Sequence, residues 1–532
     1  MNEKEFINIH RKRVVIAFFL TMLMFFVTVL RLSVLCSQNY SEVVGTQNYY
    51  RLKAADIRGT IFDCNKNPIT NNVKKVVAAV SPTPVAITAI SKILDGNALT
   101  SALERLKSGK PILIELPKKI NVEGIYCAEI YETEYNTAIH TIGYLDKSKN
   151  GVTGLEKAYN DILKQQGSCE FVFEKNGKGE MLSGIIPRLE YDNNFLTEGI
   201  VTTIDLNLQQ LAETTADAIN CGAILICESK SGKIKAIVSR PNFDLNNIES
   251  YLNAQNSPFL NRALEVFNIG SVFKPLVAAV GIENGYETFS NNCTGSTKIA
   301  DLTFNCHKRD GHGSLNLKEA IAYSCNTFFY NFALKIGKDE IYTRAKNLQF
   351  GQNIELCRGI STSAGNLTSK ELLSNSAELA NLSIGQGKLL LSPIALLNLY
   401  NAIANEGLYT TPYLVEGILK NGKLTKESSN LPTRIMEGET AEKIKNSLKA
   451  VLEIGTGKKA MPKHTTAAGK TATAQTGKYE NGIEICSGWF CGFFPFEEPE
   501  YTVIVFSENI ANDTKSCAEI FAILADKITQ DF

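Results

Sequence analysis

The chain predicts an α+β fold, on three observations. Apolar strand-like runs open and close its larger C-terminal part, a long mostly helical stretch separates them, and a membrane-length apolar run precedes everything. Ala223 to Cys227 and Ile234 to Val238 are apolar runs joined by Lys230-Ser231-Gly232-Lys233, which reads as a hairpin turn. Helical character dominates from Ala263 to about Asn405. Strand character returns at Thr465 to Gln475, Ser487 to Phe494 and Tyr501 to Ser507. A sheet built from both ends of the segment accounts for this order.

Length and composition bound the rest. At 532 residues, two to four domains are expected. Hydrophobic residues at 44% and charged residues at 21% describe a globular protein with a sizeable core. Lys+Arg and Asp+Glu both number 55, so no long-range attraction favours nucleic acid, and no nucleic-acid partner is expected. Five histidines thin the case for histidine-based catalysis or a histidine-rich metal site.

Val14 to Leu30 is an uninterrupted run of apolar residues and threonines that continues past Arg31 as Leu32-Ser33-Val34-Leu35. Arg11, Lys12 and Arg13 precede it, which predicts a cytoplasmic N-terminal tail. No small-x-small cleavage site follows, and Leu35 is too bulky for lipoprotein processing at Cys36. Residues 1–36 are therefore expected to be a tail and a retained single-pass anchor in the cell membrane, with everything beyond on the outer side. Residues 37–200 carry short strand-like runs, such as Lys74 to Val80, and are expected to form a mainly β domain. Residues 201–532 hold the α+β domain, opening with Val201 to Asp205 as a strand that enters the amphipathic helix Leu208 to Glu213.

Thirteen cysteines cannot all pair within one chain. Most sit singly in apolar contexts, Cys227 and Cys491 among them, and read as small core residues. Cys293 and Cys306 flank a strand-like segment and are a candidate hairpin disulfide. With His307 and His312 nearby they also offer zinc ligands, but no metal and no cofactor is expected. Such cysteine usage suits an anaerobic or weakly oxidising habitat.

The chemistry is concentrated in three short elements. Ser271-Val272-Phe273-Lys274 is the one Ser-x-x-Lys in the chain. A serine hydroxyl needs a base to become a nucleophile. On a helix, residues i and i+3 share a face, so this spacing offers the Lys274 amine to the Ser271 oxygen. Gly270 permits a tight entry, and Pro275 is tolerated in the first turn, which puts Ser271 at a helix N-terminus. Ser324-Cys325-Asn326 follows between two helical runs, Leu315 to Tyr323 and Thr327 to Lys335, where it can aim a hydroxyl and an amide into a cleft. Ser37-Gln38-Asn39, Ser148-Lys149-Asn150 and Ser507-Glu508-Asn509 match the same pattern, so placement rather than pattern selects it. The third element, Gly469-Lys470-Thr471-Ala472-Thr473-Ala474-Gln475, reads as a strand. Its period puts Lys470, Ala472 and Ala474 on one face and Thr471 and Thr473 on the other.

Ser-x-x-Lys, Ser-x-Asn and a Lys-Thr-Gly-like element in this order resemble the signature of penicillin-binding proteins and serine β-lactamases. Ile57-Arg58-Gly59-Thr60-Ile61-Phe62-Asp63 is similar to the Arg-Gly-x-Ile-x-Asp element of class B penicillin-binding proteins. His140 to Tyr144 and Gly154 to Tyr159 resemble a further element of that class, and Asn261 to Ala263, Gly385 to Gly387, Ser392-Pro393 and Trp489 to Gly492 resemble landmarks of its transpeptidase domain. Two departures stand out: Ala472 occupies the usual glycine position, and Asp63-Cys64-Asn65-Lys66-Asn67 lacks the usual arginine.

The resemblance implies a serine β-lactamase/transpeptidase-like domain, an antiparallel sheet with helices and a helical subdomain, preceded by the anchor and a pedestal. It implies a peptidoglycan D,D-transpeptidase working on stem peptides that end in D-alanyl-D-alanine, with β-lactams as covalent inhibitors and a polytopic glycosyltransferase as partner. Ser271 would be the nucleophile, Lys274 the base, Ser324 the proton relay and Asn326 the orienting amide. Lys470, Thr471 and Thr473 would hold the substrate carboxylate beside Ala472, and the Ser271 and Thr473 amides would form the oxyanion hole. The alternatives are a D,D-carboxypeptidase, or a non-catalytic scaffold or β-lactam sensor that regulates a membrane glycosyltransferase. No Glu-Asp-x-x-Phe-x-x-His element precedes residue 200, which argues against a fused glycosyltransferase. A β-lactamase would need neither anchor nor pedestal.

Overall fold

The computed structural model describes residues 3–37, 48–134, 137–164, 167–182, 184–191, 197–427, 430–480 and 482–531. The expected boundary after residue 36 opens onto residues 38–47, which lie outside the described residues. Two compact units form. The first gathers Met1–Asp56, Lys75–Ile130 and Ser168–Asp192, and the second Ile57–Lys74, Tyr131–Gly167 and Asn193–Phe532. Compactness thus divides the chain differently from linear cuts at 36 and 200. The reason is one strand pairing: Thr60–Phe62 lies parallel to Gly199–Thr202 and carries its neighbours into the second unit.

In the first unit, one helix spans Glu3–Ser37. Its Ile7–Ser37 part is long and apolar enough to cross a membrane, and none of the side chains in its most apolar window is buried. At about 1.5 Å per residue it exceeds the roughly 30 Å of a bilayer core. The unit also holds two three-stranded sheets. One orders Tyr49–Asp56, Ser168–Glu174 and Arg188–Tyr191, and the other Ile112–Leu116, Val73–Val80 and Ile125–Glu132. Two helices cover the second sheet, Pro84–Ile90 and Gly96–Leu106. Thr83 caps the first of these by accepting the Ala86 amide at 3.3 Å. Ala78, Val80, Ala86, Ile90, Ala102 and Ile112 form the small core between sheet and helices.

The second unit is organised by a five-stranded antiparallel sheet. Its strands are β1 (Gly222–Glu228), β2 (Ile234–Arg240), β3 (Ala468–Glu480), β4 (Ile483–Phe494) and β5 (Tyr501–Ser507), in the spatial order β2-β1-β5-β4-β3. Early and late segments therefore share one sheet, with β3 at an edge. Alternation along β4 separates the two faces. Phe490 and Phe494 meet Phe521 of the helix Cys517–Asp531 at ring distances of 4.4 and 6.0 Å. Trp489 turns the other way, 4.2 Å from Phe506, which in turn lies 4.3 Å from Phe267. The helix Pro393–Ala404 is buried at every position; its residues are apolar all round except for Asn398, Asn401 and the Tyr400 hydroxyl. Asp205 caps the helix Leu206–Ala216 through the amides of Asn207 and Leu208.

Several elements extend beyond the sequence expectation. β3 and β4 form a longer hairpin than the two strands forecast. The central helical stretch is interrupted by two hairpins, Asn291–Cys293 with Gly313–Leu315 and Ser296–Ile299 with Leu302–Asn305. Two further helices, Gly438–Glu453 and Cys517–Asp531, flank the late strands.

Arg58 and Asp63 belong to this second unit. Arg58 donates to Glu156 Oε2 at 2.7 Å, to the Glu156 carbonyl at 3.0 Å and to Asn160 Oδ1 at 3.1 Å. Asp63 accepts the amides of Asn65 and Asn67 at 2.8 and 2.7 Å, closing a tight turn. Gly154 lies against Gly143, so close that a Cβ at Gly143 would fall 1.9 Å from the Thr153 carbonyl oxygen. The motifs at 57–63, 140–144 and 154–159 are thus one packed cluster. Cys64, in place of the usual arginine, sets its sulfur 3.4 Å from Lys235 Nζ.

Candidate active site

Ser271 rides on a single 3-10 turn, Gly270–Phe273, that runs directly into the helix Lys274–Glu283. Gly270 takes φ 62°, a left-handed conformation that a side chain would strain. Its amide donates to the Gly385 carbonyl at 2.9 Å. A Cβ on Gly385 would sit 2.0 Å from the Gly270 carbonyl oxygen, so two glycines make this approach. Trp489 Nε1 donates to the Asn268 carbonyl at 2.9 Å and ties the turn to β4.

Lys274 is fully buried. Its Nζ donates to the Ser324 carbonyl at 2.7 Å, to Asn326 Oδ1 at 2.7 Å and to Ser324 Oγ at 3.2 Å. Phe329 lies beneath, with its ring centre 5.4 Å from the nitrogen. All the acceptors are neutral. Burial therefore pushes the Lys274 amine down to about 7, against weaker upward pulls from Cys325 and Cys306. Among the described residues, the Lys274 hydrogen bonds go to Ser324 and Asn326, and none reaches Ser271. Catalytic contacts are often loose before substrate binds.

Ser324 occupies the end of the turn after the helix Leu317–Ala322, with φ 55°, and Asn326 opens the helix Asn326–Ile336. A non-glycine residue in that region costs about 1–3 kcal/mol, and such strain gathers where side-chain direction matters. Across the cleft, β3 shows the expected alternation. Lys470, Ala472 and Ala474 are buried, while Thr471 and Thr473 are not. Lys470 Nζ donates to the Thr471 carbonyl at 3.0 Å. Burial first, and the Lys274 charge second, hold the Lys470 amine well below the ordinary lysine range.

A cleft of about 730 Å³ brings Ser271, Ser324, Asn326, Thr471, Ala472 and Thr473 to one surface. Lys274 and Lys470 lie buried beside it. All eight residues singled out from the sequence thus gather around one cleft. Two of its walls went unforeseen. Thr456 follows the helix Gly438–Glu453, and its hydroxyl shares a 2.7 Å hydrogen bond with Thr471 Oγ1. The Gly455-Thr456-Gly457 turn was the available signal. Gly455 is needed because a Cβ would meet the Ala322 carbonyl oxygen at 2.1 Å. His307 forms part of another wall.

The family model for the penicillin-binding protein transpeptidase domain matches residues 222–526. The chain belongs to this family and is a serine-type D,D-transpeptidase of the penicillin-binding class. It is 27% identical over 440 residues to stage V sporulation protein D of Bacillus subtilis, covering 78% of this chain and 66% of that protein. It is 25% identical over 591 residues to peptidoglycan D,D-transpeptidase MrdA of Acinetobacter baumannii, covering 94% of this chain and 85% of that one. The crystal structure of penicillin-binding protein 3 from Mycobacterium tuberculosis, complexed with aztreonam, superposes with TM-score 0.65 at 20% identity. The match covers 90% of this chain and 97% of that one.

Proposed function

We propose that this chain cross-links peptidoglycan stem peptides ending in D-alanyl-D-alanine, with Ser271 as nucleophile. The Ser271 oxygen attacks the carbonyl between the two D-alanines as its proton passes to neutral Lys274. An ester forms, the peptide C–N bond breaks, and the departing D-alanine amine collects a proton through Ser324. An amine of a second stem then attacks the ester and restores the Ser271 hydroxyl. Asn326 holds Lys274 and the substrate amide. The edge strand β3 leaves backbone N–H groups unpaired by another strand. The amide of Thr473, with that of Ser271, is the proposed oxyanion hole. Lys470, Thr471 and Thr473 receive the terminal carboxylate, with Ala472 alongside. β-Lactams acylate the same serine.

The observation that carries this reading is the buried amine of Lys274, one helical turn from Ser271 and held only by neutral acceptors. It supplies a base that is partly neutral near pH 7. Arg11, Lys12 and Arg13, in the N-terminal part of the helix just before its apolar run, favour a cytoplasmic N-terminus and an outward-facing catalytic unit. Residues 37–200 are proposed as the pedestal that meets a polytopic glycosyltransferase. The test is mass spectrometry of the full chain in detergent after exposure to a penicillin. A single adduct mapped to Ser271 is expected. An adduct on another serine, or none in a folded chain, would overturn the assignment.

A further inference from the structure

Four ligand-type side chains meet beside the catalytic cleft. Cys293 ends the strand Asn291–Cys293, and Cys306 follows the strand Leu302–Asn305. His312 precedes the strand Gly313–Leu315, and Cys325 is the middle residue of Ser324-Cys325-Asn326. Their donor atoms all lie within 4.8 Å of one another. Sequence proximity groups Cys293 and Cys306 with both His307 and His312. The fold keeps His312 in the cluster, turns His307 towards the cleft and adds Cys325.

We propose that Cys293, Cys306, His312 and Cys325 bind one structural zinc ion, which positions Ser324 and Asn326 for catalysis. Tetrahedral zinc, with bonds of about 2.3 Å to sulfur and about 2.0 Å to nitrogen, sets a sulfur and a nitrogen about 3.6 Å apart and two sulfurs about 3.8 Å apart. Cys306 Sγ lies 3.6 Å from His312 Nδ1. The three thiols are buried at 2%, 1% and 0% exposure, and none is in a disulfide. Burying three thiols around an imidazole has no packing rationale that three apolar side chains would not serve better, whereas it matches the Cys₃His set of closed zinc sites. Zinc binding would convert each thiol to a thiolate and release its proton.

The backbone supports the same reading. His312 N donates to the Cys293 carbonyl at 3.0 Å, and Cys306 N to the Gly295 carbonyl at 2.8 Å. A Cβ on Gly311 would lie 2.2 Å from that Cys293 carbonyl oxygen, so a glycine is needed for the loops to close this tightly. The Asn326 amide donates to Cys306 Sγ at 3.4 Å, the kind of contact that a metal-bound sulfur receives from its surroundings. Two of the ligands therefore grip the catalytic loop. Cys325 holds it covalently between Ser324 and Asn326, and Cys306 holds the Asn326 amide.

The test uses the full chain in detergent, purified anaerobically without chelator. Elemental analysis should find about one zinc per chain, and His312→Ala or Cys293→Ser should lose most of it. Replacing zinc with cobalt in the unsubstituted chain should give tetrahedral absorption bands together with thiolate-to-metal charge transfer. Chelation should slow penicillin acylation and move its pH profile, and added zinc should restore both. Iron in place of zinc, a disulfide among the three cysteines, or no cobalt bands from a chain with native circular dichroism would each overturn the proposal. Metal content and spectrum are read without reference to Ser271, so this proposal can fail while the acylation reading stands.

Discussion

Lys274 Nζ donates to Asn326 Oδ1 at 2.7 Å and, with its bonds to Ser324, couples the serine-bearing helix to the Ser324–Asn326 loop. An amide oxygen accepts from both the ammonium and the neutral amine. Asn326 can therefore hold Lys274 through a proton transfer without fixing its charge. A carboxylate at this position would favour the charged form and leave less free base at neutral pH.

Replacing Lys274 by methionine keeps the apolar stem and deletes the base. The rate of acylation by a penicillin should fall by about 10²–10⁴-fold, the usual contribution of a positioned general base. Stopped-flow or quenched adduct formation, checked against circular dichroism, measures it. A near-normal rate would move the base role to Ser324.

The acylation rate should depend on pH through Lys274. Its amine titrates at about 7, and the active form is the neutral one, so the rate should rise through neutrality and level off above it. The sign follows from burial, which disfavours the ammonium. A rate that falls between pH 6 and 8 would contradict the assignment.

Asn326→Asp should move that midpoint upward, because a carboxylate beside the amine stabilises its charge. A rise of about one pH unit would cost roughly five- to tenfold in rate at pH 7. The loss should shrink at alkaline pH, which a purely structural defect would not show.

Ala472 and Gly270 face each other across the junction of β3 and the serine turn. A Cβ on Gly270 would lie 3.4 Å from the Ala472 methyl and 3.2 Å from that of Ala474. Ala472→Gly should leave penicillin acylation unchanged or raise it, at a modest strand cost. Gly270→Ala should lower both acylation and stability, the latter by about 1–2 kcal/mol for the left-handed backbone. Combining the two should recover part of the acylation loss, which a matched set of rate measurements would reveal.

Arg58 is one-tenth exposed and pairs with Glu156, which is 2% exposed, at 2.7 Å. Arg58→Ala would remove the ion pair to that buried carboxylate together with the bonds to the Glu156 carbonyl and Asn160, and should cost about 3–5 kcal/mol. Thermal unfolding measures the change. A melting temperature within a degree of the parent would show that the pair contributes little.

The grouping of the candidate residues was the more legible part of the sequence. Ser271 and Lys274 announce themselves by spacing, and the alternation through Lys470, Ala472 and Ala474 survives in the burial of β3. The nature of Ser324-Cys325-Asn326 was legible only by its order after Ser271, since other triplets match its pattern. What sequence could not give was contact at long range. Arg58 reaches Glu156 across 98 positions, and Cys325 meets Cys293 through two strand pairs, of which the sequence shows only the strand-like segment between Cys293 and Cys306. The C-terminal helix was missed although Ile520, Phe521, Leu524 and Ile528 carry its period, because strand signals just before it dominated the reading.

The contact between Gly270 and Gly385 bears on how such an enzyme can evolve under drug pressure. Any side chain at position 385 would push on the carbonyl of the residue just before the nucleophile, so the route to a relocated Ser271 passes through loss of the enzyme. Resistance that preserves wall synthesis has to arise elsewhere, at positions where bulk can change without lifting the serine. Thr456, on the cleft wall and away from the turn, is one such place. The geometry therefore sorts the cleft into residues that lineages must keep and residues they are free to explore.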